Sequence, residues 1–148
     1  MKKTKKAGFQ FVGFKVIKSH IEKKGFDKVG TDLELGFKPR GEKDSTKNIF
    51  NLYLGILISD KEKQFIVDIE IVGFFKYENI DNDDIRDNYF YINAPAILFP
   101  YVRAYVSTLT ALSGYETITM PTMNLTLLGD TLKKNIKELH SDIKLELK

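Results

Sequence analysis

The residue types that most often perform chemistry are few in this chain and far apart. His20 and His140 are the only histidines, and there is no cysteine. A metal site or a catalytic triad needs several such groups close together, so we interpret both histidines as surface residues without a metal-binding role. Ser107 and Ser113 lack the glycine-flanked turn motif of a serine nucleophile.

Two short segments begin like ligand-binding loops but lack the residues that those loops require. Gly25 and Gly30 have the glycine spacing of a phosphate-binding loop, but no lysine follows the second glycine to reach a phosphate. Residues 81–83 begin like a calcium loop, but Ile85 and Arg86 occupy the places of an oxygen ligand and the turn glycine. Neither segment predicts a bound phosphate or calcium ion.

Asp68 and Glu70 are the remaining candidate pair, two residues apart on a predicted strand. Paired carboxylates can serve acid–base chemistry, but on one face of a strand they more often mark a solvated or partner-facing edge of a sheet. The sequence therefore predicts a protein that is not an enzyme and that uses neither a cofactor nor a metal.

The composition is that of one globular domain, which we assign to residues 1–148. Apolar residues make up 43% of the chain, with eleven Phe and seven Tyr. A chain of this length builds one core rather than two. The apolar runs stop far short of the about 20 residues that cross a membrane, so we expect no membrane insertion. The absence of cysteine fits a reducing cytoplasm, the expected location.

Lysines near the two ends of the chain contribute much of the net charge of +3. We interpret residues 1–8 as a basic, flexible tail that enters a strand, because the stretch after it alternates instead of running apolar as a signal peptide does. These lysines favour a solvated face without a nucleic-acid partner. A basic nucleic-acid-binding module stays open as an alternative function.

Residues 9–77 have the alternating apolar pattern of four β-strands. The apolar phase of the first strand flips near Gly13, which predicts a β-bulge. Alternation over residues 33–37 predicts a strand that ends at Pro39, where a polar loop that reaches Lys47 begins. The long hairpin of residues 49–75 carries apolar side chains on both faces in places.

Two helices are predicted within residues 93–147, after an acidic loop at residues 81–87. The first helix is predicted to end at Gly114, and Asn124 is predicted to cap the second. The second helix is predicted from apolar residues at spacings of three and four, namely Leu125, Leu128, Leu132, Ile136, Leu139, Ile143 and Leu147.

Two helices can cover only one face of a four-stranded sheet, so apolar surface should remain on the other face. At about 25 cal/mol per Å², burying roughly 500 Å² of it would contribute on the order of 12 kcal/mol before association costs. We therefore expect a partner subunit, a bound polypeptide, or both to cover this surface. Two alternatives stay open: Tyr53 and Ile66 are scattered surface residues, or the protein carries an apolar ligand between sheet and helices.

Residues 93–103, Asn-Ala-Pro-Ala-Ile-Leu-Phe-Pro-Tyr-Val-Arg, resemble the signature of the SecB chaperone family at its first helix. Residues 65–75 are similar to the family's last strand, residues 9–11 to its first, and residues 114–125 to its connector between helices. The resemblance spans roughly residues 9–139 in the same order.

This resemblance implies an α+β fold, with a four-stranded antiparallel sheet followed by two helices, assembled as a homotetramer that is a dimer of dimers. It implies an ATP-independent holdase that binds unfolded polypeptides in grooves lined by Phe26, Tyr53, Phe74, Tyr115, Ile118, Met120 and Leu125. It implies that the first helix lies at the oligomer interface, with Leu98, Val102, Tyr105, Val106 and Leu109 as the contact residues.

The family's export branch delivers clients to the SecA motor, whose basic tail docks on an acidic flank of the sheet. Glu22, Ile66 and Asp68 match that flank, whereas Lys18 stands where an acidic residue is expected. The basic charge balance also weakens the case for a cationic partner. We therefore place a chaperone that controls the antitoxin of a toxin–antitoxin pair ahead of an export chaperone, which remains the alternative.

Overall fold

A computed structural model describes residues 8–139 of the chain. In chain order the elements are β1 (Phe9–Lys23), β2 (Glu34–Asp44), β3 (Ile49–Ser59), β4 (Phe65–Tyr77), α1 (Asp83–Asn88), a π-helical segment (Tyr89–Asn93), α2 (Ala94–Leu112), α3 (Leu125–Lys133) and β5 (Ile136–Glu138). No helix in this described part is long and apolar enough to cross a membrane.

The strands form one five-stranded mixed sheet in the order β1-β4-β3-β2-β5. The first four strands pair antiparallel, and β5 pairs parallel with β2. The prediction of a sheet of four antiparallel strands is therefore wrong, because it lacks the fifth strand and its parallel pairing. A hydrogen bond from the Gly41 amide to the Asn135 carbonyl (3.0 Å) starts the extra pairing directly after α3.

The predicted second helix is correspondingly too long. Asn124 caps α3 as expected, because its side chain accepts a hydrogen bond from the Thr126 amide. The helix ends at Lys133, and the chain then runs along β2 as a strand. Ile143 and Leu147 of the predicted apolar seam lie outside the described residues.

Two β-bulges interrupt the pairing of β1 with β4. One register shift lies between Phe11 and Gly13, which confirms the predicted bulge, and a second lies between Val16 and Lys18. A bulge places an extra residue on one strand and re-aims its side chain. The extra residues are Val12 and Ile17, and both are exposed.

The acidic segment that was predicted as a loop is helical instead. The side chain of Asn82 accepts hydrogen bonds from the amides of Asp84 and Ile85, and two aspartates occupy the first turn of α1. A side-chain cap and negative charge at a helix N-terminus both stabilise a helix. Helical structure therefore runs from residue 83 through the π-helical segment into α2, which ends just before Gly114 as predicted.

The helices cover one face of the sheet and build the core there. Leu98 of α2 packs so closely on Gly73 of β4 that a Cβ at that glycine would lie 3.1 Å from the leucine side chain. Phe50 stacks on Phe90 with ring centroids 4.3 Å apart. The buried residues of β3 on this face are Phe50, Leu52, Leu54, Ile56 and Ile58, which is the alternation expected of a half-covered strand.

Candidate functional site

The other face of β3 and β4 carries an apolar surface that we call the open face, formed by Tyr53, Leu57, Ile66 and Phe74. Tyr53, Ile66 and Phe74 are half-buried, and Leu57 is 40% exposed. None of the four belongs to the cluster against which the helices pack. The sheet therefore presents apolar side chains on both faces, as the pattern of residues 49–75 predicted.

Charged side chains from neighbouring strands hold Tyr53 in place. The Arg40 guanidinium lies 3.7 Å from the Tyr53 ring centroid and 3.3 Å from a carboxylate oxygen of Glu70. Burial, followed by a hydrogen bond to Glu42, raises the pKa of Tyr53 to about 12. The ring is thus uncharged at neutral pH, and it offers a flat contact surface beside an ion pair.

The predicted docking flank is assembled on this same face. Glu22 of β1 lies opposite Ile66 of β4, and Asp68 lies two residues further along β4, opposite His20. Lys18 binds the Asp68 carboxylate at 2.6 Å, with both side chains partly exposed. Asp68 therefore has an internal cation for a partner, which reduces its attraction for an external basic segment.

The predicted groove residues do not lie on one surface. Tyr53 and Phe74 belong to the open face, whereas Tyr115, Ile118 and Leu125 pack against the core on the helix side. Phe26 is fully exposed in the loop between β1 and β2. Lys28 of the same loop lies 3.7 Å from Glu116, so this loop adjoins the connector that carries Tyr115.

Met120 is the groove residue that the structure corrects. Its side chain is only 1% exposed, because the connector folds it into the core. Ile118 of the same connector is anchored by its backbone: its amide donates to the Thr110 hydroxyl (3.0 Å) and its carbonyl accepts from the Ser107 hydroxyl (2.9 Å). Met120 thus has almost no surface to offer a ligand in this conformation.

A cleft that the sequence did not predict lies between β2 and α3, and we call it the edge groove. Its first part, about 250 Å³, lies between Phe37 and Pro39 of β2 and the segment that leads into α3. Its second part, about 570 Å³, continues past Arg40 to β5. The apolar residues along both parts are Phe37, Pro39, Met123, Leu125, Leu127, Leu128 and Ile136.

Leu127 is the residue of the edge groove that a sequence signal could have revealed. It is 70% exposed and lies out of phase with the buried Leu128 and Leu132 of α3. A large apolar residue on the polar side of an amphipathic helix indicates a contact beyond the chain's own core. The sequence could not show in the same way that β2 forms the other wall of the groove, because an alternating pattern does not reveal which strand lies near an edge of the sheet.

Part of the β2 backbone in this groove lacks a strand partner. The Gly41 amide donates to Asn135, and the Lys43 carbonyl accepts from the Leu139 amide (2.7 Å), so these odd-numbered residues direct their backbone groups outward. Because this direction alternates along a strand, Leu35 and Phe37 also direct their backbone groups outward. No other strand of the described residues pairs with β2 there.

The predicted oligomer contacts divide into two groups. Leu98, Val102 and Val106 have no exposed surface in the single chain, because they pack against its own sheet, so a partner cannot reach them without unfolding the core. Tyr105 is half-buried and its hydroxyl lies 2.7 Å from that of Ser19, and Leu109 is also half-buried. The exposed large apolar residues of α2 are instead Tyr101 and Leu112.

The described residues thus define a class of protein in which helices cover one face of a sheet and apolar side chains remain on the other face. In this part of the chain, the outer side of β2 is only partly paired. A family described as preprotein translocase subunit SecB matches residues 16–134, which is more than half of the chain. The chain therefore belongs to the SecB family of chaperones. Proteins of this family are chaperones and not enzymes.

Two relatives each match about two thirds of this chain. An uncharacterized protein of Methanocaldococcus jannaschii is 30% identical over 97 residues, which are 66% of this chain and 61% of that protein. The protein-export protein SecB of Ruegeria pomeroyi is 28% identical over 102 residues, 66% of this chain and 58% of that protein. The chain thus spans less than two thirds of the length of these relatives.

A solved structure shares the fold. The SecB-like chaperone of Mycobacterium tuberculosis, in complex with a ChAD peptide from the HigA1 antitoxin, superposes with a TM-score of 0.64. The match covers 78% of this chain and 90% of that chain, at 19% sequence identity. An identity this low shows a common fold and no more.

Proposed function

We propose that this protein is an ATP-independent holdase that binds unfolded or aggregation-prone polypeptides, with the antitoxin of a toxin–antitoxin pair as its client. The observation that carries the proposal is the edge groove, where an unpaired stretch of β2 backbone adjoins an apolar cleft. An extended polypeptide can add to a strand edge through its backbone while its alternate side chains enter an adjacent pocket. Backbone pairing is independent of sequence, as an unfolded client requires.

The side chains of the edge groove support this use. Met123 is a flexible apolar residue that adapts to differently shaped partners, Leu127 is an exposed one, and Phe37 supplies a rigid ring. Phe37 itself is held by Phe99 of α2, with ring centroids 6.0 Å apart. The groove therefore combines one fixed wall on the sheet with one adaptable wall on the helix side.

The proposed assembly is a homotetramer, built as a dimer of dimers, and the open surfaces support it. β1 lies at the sheet edge and exposes Val12, Phe14 and Ile17, and Tyr101 of α2 packs on Phe14 with ring centroids 4.9 Å apart. Exposed apolar side chains grouped at one edge favour burial against a second copy. Several client sites on one tetramer would hold a long client by effective concentration, so that release needs no nucleotide.

Two observations bear on the choice between an antitoxin and an exported client. The structural relative carries a peptide from an antitoxin, whereas the relative from Ruegeria is named as an export protein. Lys18 pairs with Asp68 of the acidic flank, and Arg40 pairs with the nearby Glu70, so part of the negative charge that would attract the basic tail of SecA is balanced within the chain. We therefore propose the antitoxin role first and export to SecA second, both in the cytoplasm.

Light scattering and an aggregation assay test the holdase proposal directly. We expect the mass of a tetramer in dilute buffer, and suppression of the aggregation of a denatured protein without ATP. A stable monomer that leaves aggregation unchanged would contradict the proposal. Titration with a ChAD-type antitoxin peptide and with purified SecA then separates the two client roles, because the antitoxin role predicts binding of the peptide and none of SecA.

A further inference from the structure

Strand β5 occupies part of the strand edge that we assign to the client. Three pairs join it to β2, from Gly41 opposite Ile136 to Lys43 opposite Glu138. The outward-directed backbone groups of β2 thus fall into two sets. Those of Leu35 and Phe37 have no strand partner within residues 8–139, and those of Gly41 and Lys43 pair with β5 and its flanking residues. The edge groove ends at β5, since Ile136 and Lys137 line its last part.

The contact between Gly41 and Ile136 shows that β2 is adapted to an apolar occupant. A Cβ at Gly41 would lie 2.5 Å from the Ile136 side chain and 2.9 Å from the ring of buried Phe50. The missing side chain therefore leaves space above Phe50, and Ile136 fills it. A client that pairs with β2 in the same register would place one of its own apolar side chains in this space.

The pairing of β5 with β2 is short, and it buries a polar atom at an energetic cost. One carboxylate oxygen of Glu138 accepts a hydrogen bond from the Ser45 amide (3.0 Å). The other oxygen is buried and has no hydrogen-bond partner among the described residues. A buried, unpaired carboxylate oxygen opposes docking, and a three-residue strand has few ladder bonds to offset it.

We propose that a client displaces β5 from β2. An extended apolar client then forms the backbone hydrogen bonds to Gly41 and Lys43 that β5 and its flanking residues form in its absence. This inference rests on the proposed holdase function and adds its regulation. A client first pairs at Leu35 and Phe37, where none of the described strands covers the outer side of β2. It then extends along β2 and replaces β5, with an apolar side chain entering the space that Ile136 leaves.

A reversible cross-link of β5 to β2 tests the displacement. Glu42 and Lys137 are direct partners in the parallel pairing, and the chain has no cysteine, so the double variant Glu42→Cys, Lys137→Cys forms one defined disulfide. The reduced form of the same variant is the matched control for both substitutions. We expect an unfolded, apolar client peptide to bind the oxidised form about tenfold more weakly than the reduced form.

Hydrogen exchange supplies a second, independent measurement on the unmodified protein. The Leu139 amide donates to Lys43 of β2, and the Gly41 amide donates to Asn135 next to β5. If the client replaces β5, the Leu139 amide loses protection at client saturation, while the Gly41 amide stays protected by its new partner. A Leu139 amide that stays protected would overturn the inference.

The outcomes separate this inference from the function on which it rests. Equal client affinity of the oxidised and reduced forms, with tight binding to both, would disprove displacement and leave the holdase function intact. No binding to the wild-type protein would contradict the function itself.

Discussion

The edge strand β1 and the strand β2 near the opposite edge, which β5 covers only in part, differ in how regularly they pair. β1 pairs with β4 through two register shifts, and its bulges turn Val12 and Ile17 outward. β2 pairs with β3 without a shift over all eleven positions from Glu34 to Asp44. An irregular edge accepts only a partner that matches its bulges, whereas a straight edge pairs with many extended chains.

This difference suggests two kinds of partner. The irregular β1 edge suits one specific sequence, such as that of a second copy of this chain, whereas the regular β2 edge suits clients of varied sequence. A long, regular and exposed edge also invites aggregation. β2 limits this risk in two ways: β5 covers its far end, and Pro39 removes one amide donor from its middle.

The largest expected effect lies between the two edges, in the core that supports both. Phe50 is fully buried, stacks on Phe90 and lies under Gly41. We expect Phe50→Ala to lower the free energy of unfolding by about 3–5 kcal/mol, because it leaves a cavity. Urea unfolding measures this loss. Ile85→Ala, at an exposed position of α1, is the control and should change stability by less than about 0.5 kcal/mol.

The next prediction concerns the client side of the comparison. Leu127→Asp places a charge in the edge groove, so we expect about tenfold weaker binding of an unfolded client peptide, measured by fluorescence anisotropy. Ile92→Asp is the matched control, since Ile92 is also exposed but lines the neighbouring cavity between α1 and α3 and not the edge groove. Equal affinity of the two variants would remove the edge groove as the client site.

A third prediction concerns the β1 edge. Ile17→Asp introduces a charge at the outward bulge, so we expect the mass from light scattering to fall below that of a tetramer, while each chain still binds the client peptide. Ile85→Asp in α1 serves as the control at another exposed isoleucine. An unchanged mass for Ile17→Asp would show that β1 is not a subunit contact.

A smaller effect is expected on the open face. Asp68→Lys replaces the partner of Lys18 with a like charge, but both side chains are partly exposed. Exposed ion pairs contribute about 1 kcal/mol or less, so urea unfolding should detect at most a loss of that size. A loss of several kcal/mol would mean that the open face is covered by a partner that desolvates the pair.

The smallest effect is a shift in the titration of one phenol. The pKa of Tyr53 is raised to about 12, so the folded state favours the neutral ring. This contribution to stability is complete below the ordinary tyrosine pKa near 10 and is lost as the pH rises from about 10 to 12. The difference in phenolate absorbance between wild type and Tyr53→Phe isolates this titration. A midpoint near 10 would show that the ring is solvated.

Several features were predictable because they depend on residues close together in the sequence. The bulge at Gly13, the Asn124 cap and the end of α2 before Gly114 each follow from a local pattern or a single residue type. Family membership was equally accessible, because the motif at residues 93–103 is contiguous.

The sequence by itself therefore determined the presence of four strands, the apolar character of both sheet faces and the family. It did not predict that β2 continues past Pro39 to Asp44, because a proline in a strand pattern normally indicates its end. Only the tertiary structure decided that Met120 is buried, that no described strand pairs with the first part of β2 on its outer side, and that residues 136–138 form a strand. Ile136 and Leu139 fit a helical spacing as well as a strand. The Gly41 amide and the space above Phe50, far away in sequence, favour the strand, and no local pattern contains that information.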